Sequence, residues 1–182
     1  MILKALYDYY HRSGDLPPMG FEKIGISYVI VIDYDGNFKR IASTIDEENP
    51  IEYCVHKKQR KSRDLTANIL WDNAIYVLGL DSNRGEHRKF IEQISNLLSL
   101  NSECKELRAI YSFYEKGGIK HITESPELAD ITNNPKVWIT FQIQGELEII
   151  PIACRDIVLE ESTDNLKGMC LVTGNRTELV QT

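Results

Sequence analysis

No apolar run in this chain is longer than about half of the roughly 20 residues that a membrane-spanning helix needs, so a transmembrane segment is excluded. Met1-Ile2-Leu3-Lys4 brings no basic region ahead of a long apolar stretch, which argues against a secretory leader. Cysteine is sparse: Cys54, Cys104, Cys154 and Cys170 are the four among 182 residues. They are far apart in sequence, so there is no CxxC pair for a local zinc or redox motif. A chain of this size buries roughly 70% of its unfolded surface and needs no disulfide staples. Free thiols, with Cys54, Cys154 and Cys170 in apolar surroundings, are therefore expected, in a reducing cytoplasm. The four histidines, His11, His56, His87 and His121, fall in no HExxH or HxH pattern, which leaves a metal or triad site unsupported. Gly168 to Gly174 lacks the Gly-Lys-Ser/Thr of a phosphate loop. Positive charge is also short. Lys and Arg number 21 against 27 Asp and Glu, a net charge of -6 that on its own discourages nucleic-acid binding.

What is present is ordinary globular composition, 42% hydrophobic and 26% charged, in a length that suits one domain. Ile2, Leu3, Leu6, Tyr7 and Tyr10 recur at helical spacing, predicting an amphipathic helix over residues 2–12. Gly14, Pro17, Pro18 and Gly20 interrupt it. Ile24 to Ile32 is β-branched and aromatic and predicts one mostly buried strand. Asp33-Tyr34-Asp35-Gly36-Asn37 follows. Its spacing misses the calcium-loop pattern, which needs Gly at the sixth position and Glu at the twelfth, and fits an Asp-Gly hairpin turn into a return strand over Phe38 to Ile45. Ile51 to Val55 reads as a third strand and Ile69 to Leu80 as a fourth. Two helices follow, striped by Phe90, Ile91, Ile94, Leu97 and Leu98 and by Leu107, Ile110, Tyr111 and Tyr114, the second ended by Gly117-Gly118. Pro126 and Pro135 bracket a short piece, Lys136 to Ile143 alternates as a strand, residues 152–160 suit a helix and Met169 to Thr173 a last strand. Strands, then helices, then strands predict an α+β fold, a mainly antiparallel sheet with helices packed on it.

The strongest local signal is a basic loop at residues 56–66. Lys57, Lys58, Arg60, Lys61 and Arg63 place five positive charges in seven residues with no acid among them, so the rest of the chain carries -11. Crowded like charges repel, and a polyanion is a natural way to order them. A solvated loop with no partner would carry the same charges. Five neutralised phosphates would give a salt slope of roughly -4.5 on duplex DNA. Immediately after lies a stretch in which amides and an aromatic alternate with apolar positions. Asn68 and Asn73 both donate and accept, which suits base edges, and equally suits turns and caps. Trp71 has the geometry to stack on a base or to fill the core. Acidic runs such as Asp46-Glu47-Glu48 look like surface charge, and no enzyme signature stands out.

Several blocks in register resemble a known family. They are Met1 to Tyr10, Leu16-Pro17-Pro18-Met19-Gly20-Phe21, Val29 to Gly36, Asn68-Ile69-Leu70-Trp71-Asp72-Asn73-Ala74-Ile75-Tyr76-Val77-Leu78-Gly79, and Cys170-Leu171-Val172-Thr173-Gly174. Together they resemble the start of the large subunit of the type I-C CRISPR Cascade complex. Members of that family are longer, which implies that residues 1–182 are a single N-terminal domain, a fragment of a longer subunit. The resemblance implies a non-catalytic role in RNA-guided interference, with no cofactor and no metal. Guide RNA reads sequence by pairing, while protein reads a short adjacent motif in target double-stranded DNA and helps R-loop formation. It implies Asn68 and Asn73 at base edges and Lys57, Lys58, Arg60, Lys61 and Arg63 on phosphates, where they set position without reading sequence. Implied partners are the guide RNA complex, the Cascade backbone and handle-binding subunits, and a helicase-nuclease recruited in trans, with no membrane. Two alternatives stay open: a protein-interaction scaffold that docks those subunits, and a metal-dependent nuclease.

Overall fold

Phe21–Gly25 (β1) and Tyr28–Ile32 (β2) divide the stretch that the sequence predicts as one strand. The backbone changes partners between them: Ile26 N donates to Ile51 O, and Ser27 N to Trp138 O. Gly25 permits the corner, because a Cβ there would come within 2.6 Å of Pro50 Cγ. The computed structural model describes residues 20–58 and 65–162, with 4, 5, 8, 9, 12, 17, 167–169 and 176–178. Lys4, Ala5, Asp8, Tyr9 and Arg12 are helical, while the apolar stripe expected on that helix lies outside the described residues.

Phe38–Ser43 (β3) returns antiparallel to β2 through the expected hairpin. Asp33 accepts from both the backbone N and Nδ2 of Asn37 and pairs with Lys39 at 2.8 Å, so its carboxylate serves the turn. Burial works against the ionised form of Asp33, but these donors hold it well below the usual carboxylate range. Ile45–Asp46 (β4) and Asn49–Pro50 (β5) make a small ribbon, and Glu52–His56 (β6) pairs antiparallel with β1, Phe21 opposite His56.

Of the predicted strand over Ile69 to Leu80, only Trp71–Asn73 (β7) is extended; Ala74–Val77 (α1) turns into helix. Glu86–Leu100 (α2) and Lys105–Glu115 (α3) follow as expected, burying Phe90, Ile94 and Leu97 on one and Leu107, Ile110 and Phe113 on the other. Ile119–Ile122 (α4) and Glu127–Asn133 (α5) are short, the second lying between the two prolines. Trp138–Ile143 (β8) runs parallel to β2 and antiparallel to β7, giving the order β3-β2-β8-β7. The α+β class holds, with a mixed rather than wholly antiparallel central sheet. Ile150–Ala153 (α6) and Arg155–Ser162 (α7) close the main body. Lys167–Met169 (β9) pairs with Arg176–Glu178 (β10); most of the predicted last strand lies outside the described residues.

All five residues of β2 are buried because both faces are covered. Tyr28, Ile30 and Ile32 join the helices in the larger core. Val29 packs with Ile26, Val55, Trp71 and Ile149 in a second cluster on the β1–β6 side. The hairpin is pressed against α3: Gly36 sits at φ 82, and a Cβ there would meet Phe113 N at 2.6 Å and Ala109 O at 2.7 Å. Among the described residues, no helix is long and apolar enough to cross a membrane.

Candidate nucleic-acid interface

The basic segment lies in the chain between β6, in the small β1–β6 sheet, and β7, at the edge of the central sheet. Trp71 ties the two ends together. Fully buried, it donates from Nε1 to His56 O at 2.8 Å and meets Trp138 edge-on at 5.3 Å between ring centroids. It is core, and stacking on a base would require its extraction. His56 is also buried, edge-on to Phe21, and its Nδ1 has no partner among the described residues. Burial, and then the nearby Lys58 charge, lower its pKa.

Asp72 organises the return. Buried completely, it accepts Asn68 N on one oxygen and Asn73 N on the other, both at 2.8 Å. Such charge-assisted bonds are short and strong. They close a tight turn in which Leu70 takes the left-handed conformation, φ 65, with its carbonyl accepting from Thr140 Oγ1 at 3.0 Å. A non-glycine residue at positive φ costs energy, and here the surrounding bonds over-determine it.

Inside this frame the expected contact residues separate. Asn68 is turned inward, only 2% exposed, and its Oδ1 accepts Lys58 N at 3.2 Å. Its side chain clamps the two ends of the basic segment, and a base contact from it would require that clamp to open. Asn73 is half-buried and caps α1, its Oδ1 accepting from Ile75 N at 3.1 Å and Tyr76 N at 3.4 Å. Its Nδ2 makes no hydrogen bond among the described residues, so the donor end is available at the strand-to-helix junction.

The cations separate too. Lys57 Nζ lies 2.7 Å from Glu22 Oε2 in an exposed pair, so β1 already supplies its countercharge. Lys58 points toward α2. With the Gln93 carboxamide turned so that both its ends are satisfied, it accepts from Lys58 Nζ at 2.9 Å and donates to Asn68 O at 3.1 Å. Arg60, Lys61 and Arg63 lie outside the described residues. Beside Lys58 opens a cleft of about 250 Å³, walled by Leu65, Thr66, Ala67, Gln93, Asn96 and the ion pair of Lys89 with Glu92. Lys89, Gln93 and Asn96 carry no signal in the sequence, since the polar face of an amphipathic helix always offers such residues. Asp72 did have one: a carboxylate between two amides at a strand start is a turn-builder.

The fold and the clamped flanks of the basic segment define a class, a small α+β module built on a mixed four-stranded sheet. A family model for CRISPR-associated protein (Cas_Csd1) matches residues 5–182. The chain belongs to that family, the large-subunit family of type I-C Cascade complexes. None of the curated proteins compared with the chain matches it.

Proposed function

We propose that this domain is a non-catalytic, cytoplasmic DNA-recognition module of an RNA-guided type I-C complex, contacting target duplex DNA at the motif beside the guide-matched segment and helping R-loop formation. The observation that carries this is the clamp. Five cations in seven residues sit between Lys57 and Arg63, and Lys58 and Asn68 pin the flanks beside the available donor of Asn73. A charged segment held at both ends presents its field in one place, which favours a polyanion over a diffuse solvated loop. Asn73 takes the base-edge role and Asn68 the framework role. Lys58, Arg60, Lys61 and Arg63 take the phosphates, Lys58 in exchange for its Gln93 contact, with Lys57 joining only when it leaves Glu22. Four phosphates give a salt slope of roughly -3.6. Guide RNA, backbone and handle-binding subunits and a helicase-nuclease acting in trans complete the proposed assembly.

The test uses the assembled complex and target duplexes across salt. Changing Lys58, Arg60, Lys61 and Arg63 together to Glu weakens binding to every sequence and flattens the salt dependence. Asn73→Ser keeps a helix cap but withdraws the reaching amide. It narrows the gap between correct and incorrect adjacent motifs by about 1–3 kcal/mol. If both variants bind as wild type does while the complex still assembles, the domain is a scaffold and this proposal fails. Cleavage of DNA by the pure chain with magnesium or manganese would instead support the nuclease reading.

A further inference from the structure

Two cysteines fifty residues apart in sequence meet in the fold. Cys104 stands immediately before the first turn of α3, and Glu106 lies within that turn. Cys154 is at the junction of α6 and α7. Cys104 Sγ is 3.7 Å from Cys154 Sγ and 3.3 Å from Glu106 Oε2. The three ligand atoms all lie within 4.8 Å of one another. We propose that Cys104, Glu106 and Cys154 form a binding site for a thiophilic divalent cation of the zinc class, pinning the start of α3 to the α6–α7 junction.

The two spacings from Cys104 are close to those of tetrahedral coordination. Two sulfurs each about 2.3 Å from a metal stand about 3.8 Å apart, and a sulfur and a carboxylate oxygen about 3.5 Å. Without a cation, the Cys104 thiol bridges Cys154 and the Glu106 carboxylate in a short chain. A cation replaces that chain: two S–H bonds break, two metal–sulfur bonds form, and two protons leave to solvent while the carboxylate supplies the third ligand. Cys154 is buried, whereas Cys104 and Glu106 are half-buried, so the fourth position faces water. Two thiolates select zinc, cobalt or cadmium over magnesium or calcium.

Both backbones are fixed in advance. Cys104 N donates to Asn101 O at 3.0 Å and Cys154 N to Ile150 O at 2.9 Å. Binding therefore orients side chains without building new backbone, which lowers its entropic cost. The site owes nothing to the DNA-contacting role and stands whether or not that role does.

Cobalt(II) titration of the reduced full chain under anaerobic conditions reads the site directly. The expected result is one cobalt per chain, with a sulfur-to-cobalt charge-transfer band that zinc displaces, and a rise in Tm with zinc. Cys104→Ser and Cys154→Ser abolish the band, and Cys54→Ser with Cys170→Ser leaves it intact. Glu106→Gln weakens binding by at least about tenfold, the scale on which even outer partners of a metal ligand act. Cys104→Ser, at a half-exposed position, keeps the comparison valid if the buried Cys154→Ser variant misfolds. No band, a band that survives Cys104→Ser, or consumption of both thiols as a disulfide under these conditions overturns the proposal.

Discussion

Asn73 and His56 show how single polar side chains flanking the basic segment are committed to the fold. The two ends of the Asn73 carboxamide differ, its oxygen capping the start of α1 and its nitrogen making no hydrogen bond among the described residues. Loss of a cap costs about 1 kcal/mol, so Asn73→Ala mixes destabilisation with lost recognition, and serine is the cleaner substitution. His56 is legible only as one of four scattered histidines until burial is known. Its folded pKa lies below the ordinary value of 6.5. As pH falls through that value the unfolded chain takes up a proton that the folded chain resists. Stability contributed by the neutral ring is therefore present above about pH 6.5 and is lost below it. Urea unfolding at pH 7.5 and pH 5.5 is expected to show a drop that is smaller in His56→Gln. An identical drop in both chains would mean that other groups carry it. Asn68 was ambiguous in the sequence for a physical reason, since one amide satisfies a base edge or a backbone N–H equally well.

Among the elements, those with a clear period were legible. The hairpin at Asp33 to Asn37 followed from its turn residues, and α2 and α3 from their apolar stripes, because each signal is local. Ile24 to Ile32 and Ile69 to Leu80 were not, and for a shared reason. Both run apolar through a change of partner or of backbone state, so periodicity sees one element where there are two. The corner at Gly25 depends on Pro50, which only the fold brings near, and the cap at Asn73 on the local Asp72 turn, which an apolar period does not register. The hairpin also has a tertiary constraint that its sequence hides. Gly36 lies under α3 at positive φ, with backbone atoms of Phe113 and Ala109 closer than any Cβ tolerates. Gly36→Ala is expected to cost at least about 2 kcal/mol, from strained φ and from displacing the helix. Urea midpoints measure this, and a change under about 0.5 kcal/mol would show that the hairpin and helix part easily.

At the scale of the whole molecule, charge and topology are arranged separately. The charge contrast, -6 overall with a cluster of cations in one segment, was plain in the sequence. That the segment is spliced between β6 and β7, two strands of different sheets, was not. Nor was the parallel alignment of β2 with β8, because sequence proximity says nothing about strands so far apart. The convergence of Cys104 and Cys154 is the same kind of long-range fact. The β2–β8 pairing carries a consequence for how the protein is made. A ribosome delivers residues 28–32 long before 138–143, so β2 emerges hydrophobic on both sides and waits unpaired along one edge. Contacts this distant slow folding and leave a nascent chain open to aggregation. A chain stopped at residue 135 is expected to be insoluble or protease-labile while one stopped at 162 resists digestion. If the shorter chain resists equally, the sheet does not depend on its late strand.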